Sequence, residues 1–367
     1  MQAISSLTLS LSEKCNFSCS YCPQRKGKNS LRFEDIRTFL DFLRPRLANE
    51  VWIGFYGGEP LLEWPLIKET VAHLQKQSRT NFRFTLTSNG SLLKKEHIVF
   101  FKKNRFELIL SYDGLAQGNR DRASVAAVEA AVEDLLRLYP AGYVINSVFT
   151  PQTVSFLAAS LEELLRQGHS RLQYALDMCV PWKKAALASL AKQLDQLAAI
   201  GMEHRQKTGI MPLENFRENG GKGVFACFAG RDRLALLPDR TVWGCEMFHT
   251  LLGHEPQRPD YAKYCFGRLD DFTSIPAKAF AAISASCSEL RQDYFFTEKR
   301  DLCSLCDDLE RCSVCPATAA LATGTLALIP SWTCRVRKIS RGAASRLSGA
   351  ASRFRGTASR PSGMKDS

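Results

Sequence analysis

The sequence predicts an α/β protein, an open and partial (β/α)6 barrel followed by a smaller cysteine-rich domain. Short apolar, β-branched segments alternate with helical patterns through residues 1–180. Nine of the thirteen cysteines then follow residue 226. Alternating strands and helices favour a parallel sheet whose faces are covered by helices.

Six segments have the pattern of buried strands: residues 4–11, 51–57, 82–89, 107–113, 143–150 and 171–178. Between them, apolar residues recur at three- and four-residue spacing, which is typical of amphipathic helices. Six such units within 180 residues indicate a partial barrel. In proteins with parallel sheets, catalytic and binding residues usually lie on the loops after the carboxyl ends of the strands. Residues 181–226 form a predicted helical linker, and residues 227–339 form the second domain.

The charge is concentrated at the end of the chain. Residues 335–367 hold nine Lys or Arg against one Asp, which is +8 of the net +12 and leaves +4 for the rest. Residues 340–367 are rich in Ser, Arg, Gly and Ala, so we expect a disordered basic tail. The tail is either a solvated end or an arm that attracts an acidic partner. With only +4 on the body, we do not expect a nucleic-acid partner.

Targeting signals are not evident in the sequence. The first fifteen residues have no basic region and alternate as a strand does, and no apolar run approaches the length of a membrane span. We therefore expect no membrane association and a cytoplasmic location.

Three cysteines after the first strand form the first chemical motif. Cys15, Cys19 and Cys22 have the spacing Cys-x3-Cys-x2-Cys. Iron-sulfur clusters are usually closed by four cysteines, so three imply an iron with an exchangeable position. The alternatives are a zinc site completed by a distant residue, or buried thiols without a metal.

Two motifs together resemble the radical S-adenosylmethionine (SAM) family. The first comprises Cys15, Cys19, Tyr21 and Cys22, and the second comprises Gly57, Gly58, Glu59 and Pro60. The resemblance implies a radical SAM barrel in which the three cysteines hold a [4Fe-4S] cluster and SAM binds its free iron. It also implies that the second motif meets the amino group of SAM, with Glu59 supplying charge nearby.

A third segment resembles the SxDG motif of anaerobic sulfatase-maturating enzymes. It runs from Ser111 to Gly114 and is followed by an arginine-containing stretch. The resemblance implies that Ser111 and Arg122 bind the SAM carboxylate. The alternative is that this segment is only a turn.

The second domain resembles the SPASM extension, which holds two auxiliary [4Fe-4S] clusters. The resemblance implies that one cluster is held by Cys303, Cys306, Cys312 and Cys334. The other is then held by Cys227, Cys245 and Cys315. Cys265 or another cysteine completes the second site, or one iron stays open. The alternative is a structural zinc ribbon. Cys179 and Cys287 are expected to be ordinary core or surface thiols.

The resemblance implies a reaction as well. A 5′-deoxyadenosyl radical would take hydrogen from an unactivated carbon, and Glu246 is a candidate base because it follows Cys245. The first hypothesis is a maturase that oxidatively modifies a ribosomally made peptide, and the second is a formylglycine-generating sulfatase maturase. A non-catalytic zinc- or RNA-binding scaffold is the alternative from another class. Expected partners are a peptide or protein substrate, a reductant such as flavodoxin or ferredoxin, and a separate peptide-recognition protein.

Overall fold

The computed structural model describes residues 3–76, 80–122, 125–217, 227, 229–258, 261–276, 280, 296–297, 303–306, 314–325 and 328–355. Its sheet contains the six predicted strands: β1 (Ile4–Ser10), β2 (Leu47–Tyr56), β3 (Asn81–Ser88), β4 (Glu107–Ser111), β5 (Tyr143–Phe149) and β6 (Leu172–Leu176). They pair in parallel in the order β6-β5-β4-β3-β2-β1. The predicted α/β fold is confirmed.

The connections between these strands are helical, as expected for parallel pairing. The helices are α1 (Phe33–Leu43), α2 (Trp64–Gln75), α3 (Lys95–Lys103), α4 (Val125–Leu138) and α5 (Leu157–Arg166). Apolar side chains from both layers form the core. Leu7 is paired with Ile53 across β1 and β2, and Leu9 is paired with Phe55. All four of these side chains are buried, and their spacing of two residues places them on one face of the sheet.

The second region of the chain, from residue 227 onward, extends the same sheet. After α6 (Lys184–Thr208), β7 (Arg233–Leu236) pairs in parallel with β1 on the side away from β2. Antiparallel strands β8 (Thr241–Trp243) and β9 (Cys265–Arg268) then complete nine strands. Because β1 is hydrogen-bonded to β2 and β7, the region predicted as a second domain is built directly on one edge of the barrel.

Short elements surround this extension. They are α7 (Glu246–Leu252), α8 (Tyr261–Tyr264), α9 (Leu269–Thr273), β10 (Phe296–Thr297), α10 (Pro316–Thr323) and β11 (Leu328–Ile329). Strands β10 and β11 pair in parallel as a separate two-stranded sheet. Side chains of the sheet extension and of these short elements form a second apolar cluster, which includes Trp243, Phe248 and Tyr264.

The prediction of disorder from residue 340 is wrong for residues 340–355, which belong to α11 (Ser331–Arg355). Trp332, Val336 and Ala343 are buried in the barrel core and Ile339 packs against it. Their spacing forms one apolar stripe along the helix, which packs on α6. The stripe crosses the predicted boundary, and small alanines allow close packing without large apolar residues. Residues 356–367 lie outside the described part of the chain.

Within the described ranges, no helix combines the length and the apolar character needed to cross a bilayer.

Candidate active site

The three cysteines of the first motif line one cavity at the carboxyl end of the barrel strands. The cavity has a volume of about 390 Å³, and Cys15, Cys19 and Cys22 all contribute to its wall. Phe17 anchors the loop in the core, and the Cys22 N–H donates to the Cys19 carbonyl at 3.1 Å. Burial raises the pKa of the Cys15 and Cys19 thiols. The loop therefore presents three thiol groups to a single space.

Two glycines allow the loop after β2 to lie directly against the cysteine loop. A Cβ atom on Gly57, where φ is 135°, would lie 2.6 Å from the Ser12 carbonyl oxygen. One on Gly58 would lie 2.1 Å from the Lys14 carbonyl oxygen. The Gly58 and Glu59 N–H groups donate to these same carbonyls at 2.8 and 2.9 Å. Only glycine permits this approach, and both glycines line the cavity.

The carboxylate of Glu59 is buried and joins two loops of the protein. Its Oε1 accepts hydrogen bonds from the Leu61 N–H at 3.0 Å and the Ser88 hydroxyl at 2.8 Å. Its Oε2 accepts one from the Asn89 N–H at 2.8 Å. Pro60 begins a short 3-10 helix at the same point. The sequence predicted that Glu59 supplies charge near SAM. In the structure its carboxylate binds the loops after β2 and β3 together.

A buried ion pair connects the cysteine loop to the end of β4. Tyr21 donates from its hydroxyl to Asp113 at 2.6 Å, and Arg120 Nε lies 3.2 Å from the same carboxylate oxygen. Arg120 also donates to the Tyr21 hydroxyl and, at 2.6 Å, to the Ser111 carbonyl. The Val148 N–H donates to the other Asp113 oxygen at 2.7 Å. Burial lowers the pKa of Arg120, but Asp113, Tyr21 and Cys19 together outweigh this effect, and the pKa is raised.

The arginine that faces the cavity differs from the one that sequence reasoning chose. Arg120, Ser111 and Tyr21 line the cavity, whereas Arg122 is exposed. Burial of the guanidinium against Asp113 identifies Arg120, and that information comes only from the folded chain.

The opposite wall of the cavity comes partly from the second region. Met247, Cys315 and Thr318 line it together with residues 177–179, which follow β6. The volume lies within the usual range for small-molecule sites. The cavity is therefore enclosed by the barrel on one side and by the sheet extension on the other.

The cysteines of the second region gather around its apolar cluster. Cys227, Cys245, Cys303 and Cys315 pack against this cluster. Cys306 and Cys334 are half-buried, and Cys312 and Cys287 lie outside the described residues. Of the two predicted ligand sets, all three members of the set Cys227, Cys245 and Cys315 pack against this cluster, and the other set is only partly described.

The donors of the first motif suit an iron-sulfur cluster. Cys15, Cys19 and Cys22 are all thiols, the usual ligand type of such clusters, and they line one cavity. Among the described side chains, no three from His, Cys, Asp or Glu converge closely enough to hold one metal ion. An iron-sulfur cluster spreads its thiolates around a larger core than a single ion does.

Glu246 lies beside the main cavity, which is the one lined by the three cysteines of the first motif. It is the first residue of α7, and its Oε2 accepts a hydrogen bond from the Cys245 thiol at 3.5 Å. It lines a separate cavity of about 40 Å³ with Glu13 and His249. The next residue, Met247, is the one that faces the cavity of the three cysteines.

Residues 9–163 match the radical SAM superfamily. This stretch contains the three-cysteine loop, the Gly57–Pro60 motif and the network of Tyr21, Asp113 and Arg120. The predicted resemblance to the radical SAM family is therefore confirmed over these residues. Enzymes of this superfamily use a [4Fe-4S] cluster and SAM, and SPASM-type relatives carry auxiliary clusters.

Particular relatives by sequence differ in activity. The chain is 25% identical to the radical SAM cyclopropyl synthase TigE of Paramaledivibacter caminithermalis, over 32% of this chain and 29% of that protein. It is 27% identical to a GTP 3′,8-cyclase of Microcystis aeruginosa, over 68% and 83%. An uncharacterized protein of Methanocaldococcus jannaschii is 26% identical over 49% of this chain and 65% of its own length. The chain thus spans less than two thirds of TigE and of the Methanocaldococcus protein.

A solved structure matches the fold along almost the whole chain. It is anSMEcpe with bound AdoMet and the Cp18Cys peptide, with a TM-score of 0.74 and 19% identity, over 95% of this chain and 99% of that chain. At this identity the match establishes the fold. It includes the second region as well as the barrel.

Proposed function

We propose that this chain is a radical SAM oxidoreductase that oxidatively modifies a side chain of a peptide or protein, as a maturase of ribosomally made peptides does. The observation that carries the proposal is the set of cysteines that line one cavity. Cys15, Cys19 and Cys22 line it from the barrel, and Cys315 lines it from the second region. A substrate side chain in this space would contact both regions.

In this proposal Cys15, Cys19 and Cys22 hold the [4Fe-4S] cluster. When bound, the cluster and SAM supply a 5′-deoxyadenosyl radical that takes hydrogen from an unactivated carbon. The backbone carbonyls at Gly57 and Gly58 accept hydrogen bonds from the SAM ammonium group. Glu59 serves to hold the loops around them.

We assign the SAM carboxylate to Ser111 and Arg120 in place of Arg122. Arg120 lines the cavity and stays charged beside Asp113, and a guanidinium and a hydroxyl are suitable donors to a carboxylate. Tyr21 and Asp113 orient the guanidinium. Arg122 is exposed, so it has no such support.

The second region would hold the auxiliary clusters on its cysteines. Cys227, Cys245 and Cys315 form one ligand set, which their packing against one apolar cluster supports. Cys303, Cys306, Cys312 and Cys334 form the other. Bound there, the clusters would supply one-electron redox capacity beside the cavity.

A peptide substrate is supported by the fold match to anSMEcpe, which was solved with the Cp18Cys peptide. A low-potential reductant such as flavodoxin or ferredoxin would be needed. A separate recognition protein would deliver the peptide to this chain.

The test is anaerobic reconstitution followed by incubation with SAM and dithionite. We expect iron and sulfide for three clusters, about twelve irons per chain, and release of 5′-deoxyadenosine. Candidate peptides should then show a mass change detectable by mass spectrometry. Zinc in place of iron, or no 5′-deoxyadenosine with any peptide, would refute the proposed enzymatic function and favour a metal-binding scaffold. GTP is included as a separate substrate, and its conversion without peptide modification would overturn the peptide assignment.

A second candidate is conversion of Cys or Ser to formylglycine. It is favoured by Glu246, a carboxylate directly beside Cys245 at the boundary of the two regions. Because Glu246 lines the smaller cavity with His249, we rank this reaction second. Peptides that contain a single Cys or Ser distinguish the candidates, since formylglycine has a defined mass and reacts with hydrazides.

A further inference from the structure

Cys179 connects the barrel with the cysteines of the second region. It follows β6 in the barrel, yet it packs against the second apolar cluster together with Cys227, Cys245 and Cys315. It also lines the main cavity with Cys315. Cys179 therefore borders both the cavity of the first cysteine motif and the apolar cluster of the second region.

Cys315 shares both of these surroundings. It packs against the second apolar cluster with Cys179, Cys227 and Cys245, and it lines the main cavity with Cys179. The four cysteines therefore lie around one part of the structure.

The loop that carries Cys179 is held in place. The Cys179 N–H donates to the Asp177 carboxylate at 2.9 Å. The indole N–H of Trp182, which is fully buried, donates to the Asp177 carbonyl at 2.8 Å. These contacts give the thiol a defined position.

Cys265 provides the contrast. It packs against the same apolar cluster, but it begins β9, where it is paired with Trp243 of β8. The cavity that contains Cys179 and Cys315 is not lined by Cys265. Of the two described cysteines outside the two predicted ligand sets, Cys179 is the one that faces this space.

We propose that Cys179 is the fourth thiolate ligand of the auxiliary cluster held by Cys227, Cys245 and Cys315. The inference rests on the proposed function only in requiring that cluster. One ligand then comes from the barrel and three from the sheet extension, so the cluster ties the two regions together. It has no vacant iron for substrate. The thiol releases its proton to solvent when the iron-sulfur bond forms.

The test uses the full chain, with Cys15, Cys19 and Cys22 all changed to Ala so that the remaining iron reports the auxiliary clusters. After reconstitution this background should hold about eight irons. Adding Cys179→Ala should lower the iron toward about four or shift the electron paramagnetic resonance (EPR) spectrum of the reduced protein. The matched control, Cys265→Ala, should change neither.

A second readout needs no substitution at Cys179. In the iron-loaded wild-type chain, Cys179 should resist alkylation by iodoacetamide, and it should react once a chelator has removed the iron. Peptide mapping by mass spectrometry gives the extent at each cysteine. This measurement decides the question if Cys179→Ala does not fold.

Unchanged iron and an unchanged spectrum in Cys179→Ala, or alkylation of Cys179 in the loaded chain, would overturn the inference. A background chain without iron would overturn it together with the auxiliary clusters. If wild-type protein fails to cleave SAM while its iron still depends on Cys179, the proposed function fails and the inference stands.

Discussion

The Tyr21 hydroxyl donates a 2.6 Å hydrogen bond to Asp113, and this contact joins the cysteine loop after β1 to the end of β4. Asp113 is also paired with Arg120, and both side chains are buried. The position of the cavity arginine thus depends on a carboxylate and a phenol from two different loops. The first two predictions examine this arrangement.

Asp113→Asn should destabilise the protein by about 3 to 5 kcal/mol, because Arg120 would remain buried without its counter-charge. Chemical denaturation followed by circular dichroism gives the free energy of unfolding. The control is Glu50→Gln, which breaks the pair of Glu50 with Arg83 on the surface, where both side chains are about half exposed. That change should cost less than about 1 kcal/mol. Equal losses in the two variants would contradict the buried role of the pair.

Arg120→Lys should weaken SAM binding at least about tenfold, because lysine retains the charge but loses the planar fork of donors. Arg122→Lys, at the exposed position, should bind SAM as the wild type does. Equilibrium dialysis of reconstituted protein measures both affinities, and thermal unfolding checks that each variant is folded. The opposite ranking would restore Arg122 as the carboxylate ligand.

Gly58→Ala should reduce the iron bound at the first motif, because the new Cβ would meet the Lys14 carbonyl at 2.1 Å and displace the cysteine loop. Gly118→Ala is the control, since the nearest atom to its Cβ is a side-chain carbon of Arg122 at 3.8 Å. Iron analysis in a background without the second-region cysteines isolates this site. Full iron occupancy in Gly58→Ala would show that the loop tolerates the displacement.

His169 should make stability dependent on pH. Burial lowers the pKa of His169 to about 4, and its Nδ1 lies 2.6 Å from the Tyr143 hydroxyl. The unfolded chain, with a histidine pKa near 6.5, binds this proton more readily than the folded chain. The stabilising contribution is therefore complete above about pH 6.5 and is lost as the pH falls toward 4, by about 3 kcal/mol.

Urea unfolding at several pH values across this window measures the effect. His169→Gln should lose this part of the pH dependence, while its remaining acid sensitivity persists. If wild type and variant change in parallel with pH, the buried neutral histidine is not the cause.

Much of the fold was predictable because strands and helices here follow local patterns. The six strand segments alternate with helices of three- and four-residue apolar spacing, and each predicted strand is present. Helix α11 was missed because its apolar stripe begins before residue 340 and continues through small residues such as Ala343. Composition alone cannot show that a short side chain is buried.

The candidate site, like the fold, was predictable from the sequence only in part. The three-cysteine loop and the two glycines are specified within a few consecutive residues, so their motifs were readable. The partners of Glu59, namely Leu61, Ser88 and Asn89, come largely from another strand. Nothing adjacent to Glu59 in sequence indicates that its carboxylate is used within the protein.

The sequence by itself determined the class of fold, the cysteine loop and the glycine motif, because periodicity and spacing are local properties of the chain. Only the tertiary structure decided that Arg120 faces the cavity, that Cys179 and Cys315 line that same cavity, and that the second region extends the barrel sheet. Each of these depends on which side chains from distant segments face the same space. That is set by strand order and packing, which local patterns do not encode.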